Sequence, residues 1–182
     1  MRRLRIITFA IVIPALAIVG FLGYMGSFST ITVQEKEMGG LVVAGMEVTG
    51  PYKESGKYIS KVNAKLQQVH IATHKGFGIY RDDPATTPAE KCRSFVGCVL
   101  EEKDLGKEKE VEASGLTVDT IPLAKAAVAE FPLKNLFSYM IGPSKVYPAM
   151  SKYMKEKNYQ VKLSYEVYDD TEKKITYVMQ YQ

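Results

Sequence analysis

Two pairs of apolar runs, each folded around a polar connection, constrain this 182-residue chain more than any other feature. In the first pair, Phe77, Ile79 and Tyr80 lead into the breaker cluster Asp82-Asp83-Pro84, and Phe95, Val96, Cys98, Val99 and Leu100 follow it. That is the sequence form of a hairpin with a long loop. In the second, residues 159–170 (YQVKLSYEVYDD) pass through Thr171-Glu172-Lys173-Lys174 into residues 175–181. The two pairs share a phrase, IYRDD at 79–83 and VYDD at 167–170. Ahead of each lies another apolar run, then a proline, then a helix-like stretch: residues 41–47 with Gly50-Pro51-Tyr52, and residues 123–130 with Phe131-Pro132-Leu133. The chain reads as one strand-helix-strand-strand unit used twice. This predicts an α+β fold of duplicated βαββ units, although two unrelated halves of an α+β domain could produce the same likeness.

Within the first unit, residues 31–38 begin a strand, Gly39-Gly40 interrupts it as a bulge or kink, and residues 41–48 resume it. Beyond Gly50-Pro51 the period changes: Ile59, Val62, Leu66 and Val69 fall on one helical face, and Lys57, Lys61 and Lys65 on another. Residues 101–114 (EEKDLGKEKEVEAS) mix both signs of charge and read as an exposed connector. In the second unit a strand is broken by Pro122, and Gly142-Pro143-Ser144 looks like a helix start. Val146, Ala149, Met150, Tyr153 and Met154 would form that helix's apolar face. Leu136, Phe137, Met140 and Ile141 precede it as an apolar segment expected to be buried.

Ahead of the duplicated part, residues 6–25 (IITFAIVIPALAIVGFLGYM) contain no charge. At about 1.5 Å per residue, such a helix matches a hydrocarbon core of roughly 30 Å. The reading is an N-terminal membrane anchor or uncleaved signal over 1–26, a short linker, and one domain over 30–182. A cleaved signal peptide is the competing reading, but its apolar region is usually shorter and no clean cleavage site follows. Arg2, Arg3 and Arg5 on the N-terminal flank predict an inside N-terminus, with the domain periplasmic, extracellular or lumenal. Those arginines also account for most of the net charge of +4; without them 21 basic residues face 20 acidic ones. No electrostatic face for nucleic acid is expected.

Catalytic signatures and metal sets are missing from the sequence. Cys92 and Cys98 on one strand would lie roughly 20 Å apart, beyond disulfide reach. His70 and His74 sit at ligand spacing for a helix but suggest no third ligand. Neither a metal nor a cofactor is expected. One charged residue stands out: Glu166, inside Leu163-Ser164-Tyr165-Glu166-Val167-Tyr168. Strand alternation puts 164, 166 and 168 on one face and 163, 165 and 167 on the other. With Leu163, Tyr165 and Val167 under the helix, Glu166 and Tyr168 would project into whatever the opposite face encloses. A carboxylate between rings in a hollow suits a flat or cationic organic molecule. An edge-strand glutamate facing water fits the same spacing.

Gly50-Pro51-Tyr52, Gly78-Ile79-Tyr80 with Asp82-Asp83-Pro84, Arg93 at the next strand's start, and Tyr165-Glu166-Val167-Tyr168 together resemble the GyrI-like family. That family includes effector-binding domains of AraC-type and MerR-type regulators. The resemblance implies two βαββ units about a pseudo-twofold axis with a ligand groove between them, and a glutamate at position 166 pairing with cationic aromatic compounds. Tyr168, Tyr80 and Phe95 are the expected ring contacts. It also implies an alternative, since some relatives hydrolyse strained electrophiles with a glutamate and aromatic residues. The membrane helix and the pattern of residues 80–100 are similar to eukaryotic testis-expressed ER-phagy receptors, whose domain faces the cytosol, against the orientation the arginines predict. A further alternative is a membrane-anchored protein-interaction adaptor whose exposed surface, not its groove, binds an unknown partner. The first expectation is a non-enzymatic domain with a small-molecule ligand, held at a membrane by its N-terminal helix.

Overall fold

The computed structural model describes the backbone of residues 2–24 and 30–182, with side-chain surroundings for 11–21, 23–24 and 30–182. Most of the expected linker therefore lies outside the described residues. Helix α1 (Arg2–Tyr24) runs for 23 residues through Pro14, and its described side chains are exposed. Among the described residues no helix is long and apolar enough to cross a membrane.

Eight strands follow: β1 (Gln34–Met38), β2 (Leu41–Thr49), β3 (Lys75–Tyr80), β4 (Arg93–Val99), β5 (Thr117–Ile121), β6 (Ala124–Pro132), β7 (Val161–Asp169) and β8 (Lys174–Tyr181). Helix α2 (Ser55–Gln68) follows β2, the short α3 (Glu108–Ala113) joins the halves, and α4 (Ser138–Glu156) follows β6. All pairings are antiparallel, in the order β1-β6-β8-β7-β3-β4-β2-β5. That order is unchanged when β1 is exchanged with β5, β2 with β6, β3 with β7 and β4 with β8. The strand-helix-strand-strand succession thus occurs twice, meeting at β3 and β7.

The leading strands do not stay with their own halves: β1 pairs with β6 and β5 pairs with β2. Only Gly39-Gly40 separates β1 from β2, and only Pro122-Leu123 separates β5 from β6, so both outer ends of the sheet are tied back across the molecule. A flat sheet cannot satisfy those ties, and the sheet curls. The two kinks touch: Gly39 has φ +121°, and a Cβ there would collide with the Pro122 carbonyl. The conformation and the space both call for glycine.

Curling creates the main core. Val43, Phe77, Phe95, Tyr165, Val167 and Val178 are buried together on the face that carries no helix, so the sheet itself covers them. The convex face is covered by the two longer helices. Val62 and Leu66 of α2 are fully buried near Ala44 and Cys98, with Ile59 and Val69 packed beside them, as their spacing predicts. Burying each of the first two contributes about 1.5–3 kcal/mol. Val111 of α3 joins this cluster, so the charged connector is not wholly solvated. Cys92 and Cys98 are both buried and free.

The second half departs from expectation at its helix. Helix α4 starts at Ser138, ahead of Gly142-Pro143-Ser144. The chain is turned into the helix further upstream: the Asn135 side chain accepts the Phe137 amide at 2.9 Å, and Ser138 Oγ accepts the Lys134 amide at 3.0 Å, while the N-cap residue Phe137 makes no side-chain cap. Val146, Met150 and Met154 are buried against Ala127, Ala129 and Tyr177. Of the apolar segment expected to be buried, Ile141 packs against this core, but Leu136, Phe137 and Met140 do not. Leu136 and Met140 are 79% and 70% exposed.

Candidate binding site in the seam between the helices

Register decides which side chains meet on the convex face. In the β7–β8 hairpin Glu166 lies opposite Tyr177, and in the β3–β7 pair it lies opposite Gly78. Tyr168 lies opposite Gly76. Glycines at 76 and 78 leave the floor open, so the rings of Tyr80 and Tyr168 lie across them. Glu166 and Tyr168 therefore occupy the helix side of the sheet, while Tyr165 and Val167 face the inner core. This reverses the expected assignment, because a curled sheet buries its concave face without a helix.

At the seam Glu166 is 4% exposed. Tyr147, reaching down from α4, donates to Oε1 at 2.7 Å, and Tyr168 donates to Oε2 at 2.8 Å. The hydroxyl of Tyr168 lies 2.7 Å from that of Tyr80, so two phenols are linked behind the acid. Tyr177 is fully buried beneath Tyr147, ring to ring at 5.5 Å, and its hydroxyl has no partner among the described residues. Tyr139 covers Tyr168 from the start of α4 at 5.6 Å, and Tyr52 packs edge-on to Tyr80 at 4.7 Å. An acid is thus enclosed by phenols drawn from β3, β7, β8 and α4.

Electrostatics follow from that enclosure. Burial raises the Glu166 carboxyl to about 7, against the opposing pull of the Tyr147 and Tyr168 hydroxyls. Burial, reinforced by the Glu166 charge, pushes the phenols of Tyr80, Tyr147, Tyr168 and Tyr177 upward, so they remain donors at any ordinary pH.

The rim of the site is held by the other residues of the quoted pattern. Asp82 accepts the Arg93 amide at 2.7 Å and two guanidinium N–H groups at 3.0 and 2.8 Å. Hydrogen bonding from Arg93 lowers the Asp82 carboxyl to about 2. The Tyr52 hydroxyl accepts the Asp82 amide at 2.9 Å and shares its proton between the carbonyls of Asp82 (2.9 Å) and Arg93 (3.1 Å). Asp82 and Arg93 close the base of the long loop and fix Tyr52 against Tyr80.

Of the four residues singled out in the sequence, the fold brings Glu166, Tyr168 and Tyr80 together. Phe95 stands apart: Tyr80 lies opposite Ser94, so Phe95 points to the other face and packs on Phe77 at 5.3 Å. Tyr147, Tyr177 and Tyr139 escaped the sequence reading. Tyr177 carried a signal, since the four residues between β7 and β8 set a register that places it beside Glu166. No group of three or more metal-ligating side chains occurs among the described residues.

A buried acid lined by rings, on a curled sheet with one helix over each half, defines a small-molecule-binding domain. The chain belongs to the GyrI-like family: the GyrI-like small molecule binding domain matches residues 31–181. The human testis-expressed protein 264 (Homo sapiens) is 26% identical over 165 residues, covering 85% of this chain and 50% of that protein. The mouse homolog (Mus musculus) is 26% identical over 147 residues, covering 75% of this chain and 45% of its own length. The chain thus spans about half the length of the curated relatives it matches. Among solved structures, the C-terminal domain of EcmrR superposes with a TM-score of 0.57 at 14% identity, covering 84% of this chain and 98% of that one. SAV2435 bound to tetraphenylphosphonium gives 0.53 at 11% identity, covering 83% and 94%. At such identities the likeness shows the fold alone.

Proposed function

We propose that the chain is a membrane-tethered binding domain that takes a small aromatic, amphiphilic or cationic molecule into the seam between α2 and α4, with Glu166 as its charge partner. One observation carries the reading: Glu166 is 4% exposed, and its carboxylate oxygens accept hydrogen bonds from two phenols, those of Tyr147 and Tyr168. Ionising such an acid without a countercharge is costly. A delocalised cation supplies the charge and stacks on the rings. Tyr80 and Tyr168 are the ring contacts proposed beside Glu166, and Tyr139, half-exposed over Tyr168, is the side chain that would swing aside. Tetraphenylphosphonium, held by a protein of the same fold, is a suitable probe. Calorimetric titration with it should show Glu166→Gln binding at least about tenfold more weakly, or about 1.4 kcal/mol. Equal affinity in the two proteins removes the role given to Glu166.

A second reading uses the same acid. A carboxyl held at about 7 lies where a general base works best, which favours hydrolysis of a strained electrophile by water activated at Glu166. Turnover of such a compound, lost in Glu166→Gln, separates catalysis from binding.

The tether belongs to the first proposal. Residues 6–25 carry no charge and α1 is helical over Arg2–Tyr24, which supports holding the chain at a bilayer. Arg2, Arg3 and Arg5 would keep the N-terminus inside and put the domain on the periplasmic, extracellular or lumenal side. Protection of the domain from protease in sealed membranes reads the side directly.

A further inference from the structure

The exposed apolar segment at the start of α4 is the strongest feature that the site does not absorb. Among the described residues outside α1, the exposed large hydrophobic side chains are Leu105, Leu123, Leu136, Phe137, Tyr139, Met140 and Val161. Four of the seven fall within five consecutive residues, 136–140. Single exposed apolar residues are ordinary, whereas a contiguous group marks an interaction surface.

The position of this group says what it faces. Its ring at Phe137 meets Phe21 of α1 edge-on at 5.8 Å. The Lys134 ammonium lies 4.2 Å from the centre of the Tyr24 ring and donates to the Tyr24 carbonyl. The C-terminal turns of α1 thus end against this segment, yet Leu136 and Met140 stay exposed with α1 in place. A tyrosine and a lysine meeting at the end of an apolar stretch are residue types found where a membrane helix leaves the bilayer. Tyr139, in the same segment, lies over Tyr168 at 5.6 Å, so the surface adjoins the mouth of the Glu166 seam.

We propose that residues 136–140 form a lip that dips into the lipid headgroup region beside α1 and turns the mouth of the seam toward the bilayer. The inference rests on the tether reading and goes beyond it: a tethered domain could equally hang free on its linker. The occupant is the bilayer surface, because the group is continuous with the end of the apolar helix and is apolar at its tip with a basic flank.

The chain contains no tryptophan, which makes single-tryptophan variants clean depth probes. Leu136→Trp and Met140→Trp place the reporter on exposed positions that tolerate a larger ring. Leu123→Trp serves as the distant control, since β6, nine residues long, separates position 123 from the lip by about 30 Å. Phe21→Trp reports on α1. Each variant, with α1 retained, is reconstituted in phosphatidylcholine vesicles with and without brominated acyl chains. The expected result is blue-shifted emission at 136 and 140, lost in brominated lipid as at 21, with 123 unaffected. Protein that floats with the vesicles and is quenched at 21 but not at 136 or 140 overturns the lip and leaves the tether standing. Protein that does not float overturns both. Quenching at 123 equal to that at 136 overturns the lip as well, since the domain would then lie on the membrane without preference.

Discussion

Glu166 is where a single side chain decides most. Its carboxyl has an ordinary value of 4.5 and is raised to about 7 by burial. Between those values the unfolded chain has released the proton and the folded chain has kept it. Stability therefore falls as pH rises from about 5 to about 8, the reverse of a salt-bridged acid. Each pKa unit is about 1.4 kcal/mol, so the loss across the window is on the order of 3 kcal/mol. The Gln variant has nothing to titrate there. Denaturant melts at pH 5 and pH 8 should show a larger decline for the parent than for Glu166→Gln, with the variant the more stable of the two at pH 8. Equal declines would mean that the acid is not buried as described. A cationic ligand reverses the trend by favouring the anion, so affinity for tetraphenylphosphonium should rise through the same window. The alternation that pairs Glu166 with Tyr168 was legible in the sequence, because it needs only strand parity. That Phe95 faces away was not, because its parity relative to Tyr80 depends on the register across a long loop.

At the scale of elements, α4 matters most, since it delivers Tyr147 to the acid. Its apolar face was readable from spacing. Its start was not, because Gly142-Pro143-Ser144 carries the usual signals of a beginning and sits inside the helix. Packing accounts for the glycine: a Cβ at 142 would run into the Tyr177 hydroxyl, with a ring carbon of Phe131 at 3.3 Å. Gly142 lets the helix lie close enough for Tyr147 to reach Glu166. Gly142→Ala would normally favour a helix by up to about 1 kcal/mol. Here the overpacking should win, giving a net loss of about 1–3 kcal/mol and weaker tetraphenylphosphonium binding as α4 lifts. A thermal melt unchanged or improved in Gly142→Ala would show that α4 has slack over the sheet. The exposure of Leu136 and Met140 was beyond sequence reading for a different reason. Apolarity predicts burial in a water-soluble core, and periodicity says nothing of a surface that has another use.

For the whole molecule, the question is what keeps the sheet curled once its halves have formed. The duplicated unit was legible from the recurring phrases at 79–83 and 167–170, but the exchange of leading strands was not, since nothing local tells β1 to pair with β6. Closure depends on the two kinks meeting, and Gln180 ties them. Its Nε2 donates to the Met38 carbonyl at 2.8 Å and to the Pro122 carbonyl at 2.7 Å, and the residue is 3% exposed. The two carbonyls lie at the ends of β1 and β5, where the ladders stop, so no strand partner replaces the amide. Gln180→Met keeps the length of the side chain and removes both donor contacts, leaving two carbonyls short of a partner. Pro122 is exposed and Met38 half-buried, so water takes up part of the loss and each hydrogen bond counts for about 0.5–1.5 kcal/mol. The variant should therefore lose about 1–3 kcal/mol, with an unchanged denaturant slope if both halves still unfold as one. A smaller slope with two separate transitions would be more informative still, because it would show halves folding independently. A seam between such halves could not hold Glu166 in place.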